Sequence, residues 1–142
     1  MSARVLLVDD ETDLLEVMAE RLGVRGIEVF TADSPQTALD MITIESFDAV
    51  ILDFSMPGMD GMQALKLFRE KKPELQVILL TGYGTVNKGV EAMKLGAFDF
   101  IEKPAEIGKL VQKIEQAKAQ RLRVLQKQQE EKIKELVRKV GG

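Results

Sequence analysis

The stretch Arg4-Val-Leu-Leu-Val-Asp-Asp-Glu11 carries four consecutive apolar residues that run straight into three carboxylates. The run is too short for a helix and does not alternate, so it reads as a strand buried on both faces. The same device recurs along the chain. Ile27 to Thr31 is a second strand candidate. Ala49-Val-Ile-Leu52 closes on Asp53, Val77-Ile-Leu-Leu80 closes on Thr81-Gly82, and Phe98 to Ile101 runs into Glu102-Lys103-Pro104. Between these runs the apolar residues fall at helical spacing. Leu14, Leu15, Val17, Met18 and Leu22 stop at Gly23 and Gly26. Ser34-Pro35 is a cap followed by a first-turn proline, ahead of Ala38, Leu39, Met41 and Ile42. Met62, Leu65, Leu67 and Phe68 stop before Pro73, and Val86, Val90, Met93 and Leu95 close on Gly96. A last helix starts near Ala105 and meets no stop signal before Gly141. Strands alternating with helices in this rhythm predict an α/β fold: a doubly wound, five-stranded parallel sheet covered on both faces.

In open parallel sheets, ligands bind beside the C-terminal strand ends. Asp9 and Asp10 follow the first strand, Asp53 ends the third, Thr81 the fourth, and Lys103 follows the fifth. Each residue alone has an ordinary explanation: a cap, a turn, a strand end or a solvated charge. Together they put three carboxylates, a hydroxyl and an ammonium on one edge. With the first and third strands adjacent, the acids converge, and two carboxylates ~4 Å apart repel by about 4 kcal/mol at an effective dielectric near 20. A divalent cation removes that repulsion. The chain contains no His and no Cys, so the ligands are oxygens and Mg²⁺ is the natural candidate. An ionised aspartate can attack phosphorus, with Lys103 balancing phosphoryl charge and Thr81 donating to one of its oxygens.

The 142 residues suffice for one ordinary domain. The missing His and Cys exclude disulfides, thiol nucleophiles and imidazole bases. No apolar run is long enough for a membrane span and no leader opens the chain, so we expect a cytoplasmic protein without membrane contact. Net charge is −3, unevenly spread: residues 1–117 hold 12 basic and 20 acidic side chains, residues 118–142 hold 8 basic and 3 acidic. So acidic a body is a poor nucleic-acid surface, and no nucleic-acid contact is expected.

Four motifs carry a family resemblance: Val-Leu-Leu-Val-Asp9-Asp10-Glu11, Val-Ile-Leu-Asp53-Phe-Ser-Met-Pro57-Gly-Met-Asp-Gly61, Leu-Leu-Thr81-Gly82 and Phe100-Ile-Glu-Lys103-Pro104. Across residues 3–117 the chain resembles the CheY-like receiver domain of two-component response regulators, and from Thr81 to Pro104 it is most similar to receivers of the NtrC/DctD type, which often control σ54-dependent activators. The resemblance implies a flavodoxin-like sheet in the order 2-1-3-4-5. It also implies that Asp53 takes a phosphoryl group from a sensor histidine kinase. Mg²⁺ is then ligated by Asp10, Asp53 and the Ser55 backbone carbonyl, with Asp9 helping directly or through water. Lys103 contacts the phosphoryl group, Thr81 and Phe100 form a switch, and the Lys103–Pro104 bond is cis. Such a chain is a signalling phosphoacceptor rather than an enzyme, with only weak self-phosphorylation and self-dephosphorylation. Gly82 and Gly84 should loosen the loop after the fourth strand, and Phe100 lacks the phenolic hydroxyl many receivers carry there.

Other readings fit less well. A haloacid-dehalogenase-type phosphatase needs an acid two residues after its nucleophile, where this chain has Ser55, and Gly82 to Gly89 does not form a P-loop. A phosphorylation-independent pseudo-receiver is opposed only by the completeness of the site. We divide the chain into a receiver, 1–117, and a helical extension, 118–142. The last helix should dock through Ile107, Leu110, Val111 and Ile114. Beyond it, Leu122 and Leu125, Ile133 and Leu136, then Val140 keep one stripe at an 11-residue repeat, interrupted at Lys118 and Gln129. That pattern points to a homodimer through this helix, with a solvated linker as the alternative, and lets phosphorylation alter dimer geometry. No second core follows residue 117, so the chain reads as a stand-alone receiver or as one cut from a longer transcription activator.

Overall fold

The apolar runs form strands β1 (Arg4–Val8), β2 (Glu28–Ala32), β3 (Ala49–Asp53), β4 (Val77–Thr81) and β5 (Asp99–Glu102) in a computed structural model that describes residues 2–54, 61–82 and 86–141. The helices between and after them are α1 (Thr12–Val24), α2 (Pro35–Ile44), α3 (Gly61–Lys71), α4 (Val86–Lys94) and α5 (Ile107–Gly141). The strands pair in parallel in the order β2-β1-β3-β4-β5. Right-handed crossovers then require α1 on one face of the sheet and α2, α3 and α4 on the other, and α5 packs on the α1 face.

Alternate residues of each strand serve the two faces, which is why the runs are continuously apolar. Leu6, Val8, Val50, Leu52, Val77 and Leu79 pack with Ile42, Leu65 and Phe68 on the α2–α4 side. Val5, Leu7, Ile51, Ile78, Leu80 and Ile101 pack with Leu15, Leu22, Leu110 and Ile114 on the α1–α5 side.

Punctuation follows the sequence closely. Ser34 caps α2, its hydroxyl accepting from the Thr37 amide, with Pro35 in the first turn. Gly96 takes a φ of +99° after α4, and Ala97 returns its amide to the Ala92 carbonyl at 3.0 Å. Three elements start later than expected. Strand β2 starts at Glu28, because Ile27 spends its amide on the Leu22 carbonyl at the end of α1. Strand β5 starts at Asp99 rather than Phe98, whose amide already donates to the Val77 carbonyl of β4 at 2.8 Å. Helix α5 starts at Ile107, two residues past Ala105. Its docking face also differs: Leu110, Ile114 and Ala117 are fully buried and Val111 packs beside them, while Ile107 stays half-buried. Ala117, fully buried as well, carries the docked face one turn past Ile114. Beyond Ala117 the helix continues unbroken to Gly141 with no fully buried residue, and Leu122 and Ile133 are 49% and 53% exposed.

Candidate functional site

Strand order brings the polar residues together. With β1 against β3, Asp9 and Asp10 after β1 meet Asp53 at the end of β3, and one carboxylate oxygen from each lies within 4.8 Å of the others. Asp53 is only 3% exposed and Asp9 is buried, whereas Asp10 faces solvent. Lys103, after β5, reaches over β4 to place its ammonium Nζ 2.7 Å from Asp53 Oδ2. Its backbone amide donates to the Thr81 carbonyl at 2.7 Å, which extends the β4–β5 pairing up to the site. The Lys103–Pro104 bond is cis, as the resemblance implied.

The acids are not equivalent. Burial, the largest influence, pushes Asp9 up from 3.8 to about 6; its acceptance of the Glu11 amide pulls the other way, and the neighbouring Asp53 adds to the rise. That Glu11 amide bond, 3.0 Å to Asp9 Oδ1, is also the helix-entry role ordinarily expected of an acid after a strand. Asp9 thus belongs to the cluster and to the start of α1 at once.

The donor set fits a hard cation. Only oxygens are offered, the chain has no His or Cys, and ligand oxygens around Mg²⁺ lie about 3–4 Å apart at metal distances near 2.1 Å. A small inward movement, or a bridging water at Asp9, closes the gap from the observed spacing. Ser55, whose carbonyl was expected as a further ligand, lies outside the described residues, as do the rest of 55–60 and Gly84.

Thr81 is wholly buried and its hydroxyl donates to the Ile101 carbonyl at 3.4 Å. It shares a sheet face with Phe100, since β4 residue Leu79 pairs with Phe100 and side chains two apart point the same way. The Phe100 ring lies against α4 over Gly89, where a Cβ would fall 2.8 Å from the ring carbons Cγ and Cδ2. Sequence reading passed over Gly89. Its signal was a glycine inside a helix, which costs about 1 kcal/mol relative to alanine and so asks for a packing reason. Beside the cluster, Leu14, Met18, Leu80, Pro104 and Ala105 line a mainly apolar groove of about 410 Å³ that reaches Asp9 and Lys103.

Comparison with known proteins agrees with this arrangement. The family model described as the response regulator receiver domain matches residues 5–115. The chain is 46% identical over 106 residues to response regulator protein FleR of Pseudomonas aeruginosa, covering 75% of this chain and 22% of that protein. It is 37% identical over 124 residues to the C4-dicarboxylate transport transcriptional regulatory protein DctD of the same organism, covering 87% of this chain and 27% of the relative. The chain therefore spans only about a quarter of these relatives. The crystal structure of a response regulator receiver domain protein from Clostridium thermocellum matches with a TM-score of 0.81 at 36% identity, over 87% of this chain and 98% of that one. An acid cluster built where β1 and β3 meet, with a lysine brought in by β5 and a family match running from β1 through the docked part of α5, leads to one conclusion: this chain belongs to the response regulator receiver domain family.

Proposed function

We propose that this chain is the phosphoacceptor of a two-component signalling system and that Asp53 takes the phosphoryl group from a sensor histidine kinase. The observation that carries the reading is the convergence of Asp9, Asp10 and Asp53 within 4.8 Å, with Lys103 2.7 Å from Asp53. Asp10, Asp53 and the Ser55 carbonyl would hold Mg²⁺, with Asp9 joining directly or through water. When bound, the ion supplies the positive charge that lets the carboxylates crowd and that offsets charge on phosphoryl oxygens. An Asp53 oxygen attacks phosphorus, the bond from phosphorus to the kinase imidazole nitrogen breaks, and the electron pair stays on that nitrogen. Lys103 is already placed where the added phosphoryl oxygens gather, and it neutralises part of their charge. The Thr81 hydroxyl leaves its long bond to Ile101 and donates to one of those oxygens. The Phe100 ring then follows into the space behind Thr81 and changes the surface of α4, β5 and α5.

We place the protein in the cytoplasm, where the kinase's phosphohistidine is available; among the described residues no helix is long and apolar enough to cross a membrane. The chain transfers nothing onward by catalysis and turns over only its own acyl phosphate. Residues 1–117 act as the receiver, and residues 118–142 carry the apolar stripe through which two copies pair. Nucleic acid is not contacted directly. A second reading, that this receiver belongs to a longer transcription activator of the σ54 type, is favoured by its match to about a quarter of FleR and DctD.

Incubation with acetyl phosphate and Mg²⁺, followed by intact-mass spectrometry, tests the central assignment. The wild-type chain gains the mass of one phosphoryl group and the Asp53→Asn chain gains none. Equal labelling of both, or no labelling of either, defeats it.

A further inference from the structure

At the pole of the sheet opposite the acid cluster, Asp48 precedes β3 and is buried. Its Oδ2 accepts the Arg4 amide at 2.8 Å, and its own amide donates to the Arg4 carbonyl at 2.8 Å. Arg4 is held in turn by Glu28 and Glu45, at 3.4 and 3.2 Å, and lies over the Phe30 ring at 4.9 Å. Asp48 is therefore fixed to the starts of both β1 and β3. Its remaining oxygen, Oδ1, meets Nη1 of Arg121 at 3.0 Å, with side-chain exposures of 11% and 18% for the two residues.

Arg121 lies four residues after Ala117, the last fully buried residue of α5, and immediately before Leu122, where the apolar stripe of the extension begins. Residues 131–141 are all exposed. The roughly 20 residues of helix beyond Arg121 span about 30 Å, so a tilt of about 10° at the base moves the tip by about 5 Å. What holds the base decides where the stripe points.

We propose that the Asp48–Arg121 ion pair is a positioning contact, the fulcrum that fixes the direction in which the second half of α5 leaves the receiver body. Two features suit it to that role. Its acceptor is immobilised on two strands, and its donor is a planar guanidinium that loses little freedom on pairing. The pair is also largely shielded from water, so it constrains the helix more than an exposed pair would. The inference stands on contacts at the far pole and does not depend on phosphorylation of Asp53.

The chain has no native cysteine, so Glu20→Cys and Arg138→Cys accept spin labels without competition. Dilution with unlabelled chain restricts pulsed dipolar distances to one molecule. The parent gives a narrow distribution, Arg121→Gln broadens it by about 5 Å or more, and Arg121→Lys restores most of the narrowness. Asp48→Asn keeps an acceptor for the Arg4 amide but loses the charge, and broadens the distribution in the same way. Arg123→Gln, whose parent Nε bonds Gln120 on the same helix, leaves it unchanged. An unaltered distribution in Arg121→Gln overturns the proposal, as does equal broadening in Arg123→Gln. So does broadening that comes with lost helical circular dichroism, since the segment would then be unwinding rather than pivoting.

Discussion

Gly89→Ala is the most discriminating single change. A Cβ built at Gly89 lies 2.8 Å from Cγ and Cδ2 of Phe100 and 3.0 Å from Cδ1. These atoms are near the root of the ring, so a small rotation of the side chain does not clear them. Two opposing effects follow. Alanine in a helix interior is favoured over glycine by about 1 kcal/mol. Forcing a half-buried ring aside costs about 1–3 kcal/mol. The net change in the wild-type background therefore runs from near zero to about 2 kcal/mol of destabilisation. In a Phe100→Ala background the clash is gone, and the same substitution stabilises by about 1 kcal/mol. The coupling between the two positions is then about 1–3 kcal/mol, read from urea unfolding of the four proteins in a double-mutant cycle. If Gly89→Ala stabilises both backgrounds equally, the ring does not rest on Gly89. Phe100 would then lack the α4 contact that the proposed switch needs.

Three further outcomes are expected. Because Asp9 is pushed up to about 6 from 3.8, the folded chain keeps a proton that the unfolded chain releases between those values. Stability without metal should therefore fall as pH rises through that window, and Mg²⁺ affinity should rise and level off above about 6; titrations on either side of that pH that agree with each other would contradict the burial of Asp9. Asp10→Asn should move two properties in opposite directions: a more stable metal-free protein, from relief of repulsion, and Mg²⁺ binding weaker by at least about tenfold, from loss of a charged ligand. Calorimetric unfolding and Mg²⁺ titration check the pair, and a loss of stability would show that the acids do not repel one another. Leu122→Asp combined with Ile133→Asp should convert a dimer into a monomer by light scattering while leaving the melting temperature of the receiver body unchanged, since both side chains are about half exposed; a dimer that survives places the interface elsewhere.

The sequence alone located the strands, the helices and the carboxylates that the fold gathers. Four apolar residues ending in Asp9 and Asp10, or in Asp53, announce both a strand buried on two faces and the edge where its polar end emerges. The Ser34-Pro35 and Gly96 signals act within a few residues of themselves, so no distant contact was needed to read them. Tertiary structure decided what depends on partners far apart in the chain. The resemblance implied that β3 lies against β1, but only the packed structure shows how far burial, with Asp53 of that strand beside it, pushes the Asp9 carboxyl up. Gly89 carried only a helix-interior glycine until Phe100 was laid on it. Arg121 read as one more charge on a basic tail until Asp48, 73 residues away, was found beside it. Local sequence encodes backbone preference and the sorting of apolar from polar side chains; long-range packing alone sets how charges are paired, shielded and aimed.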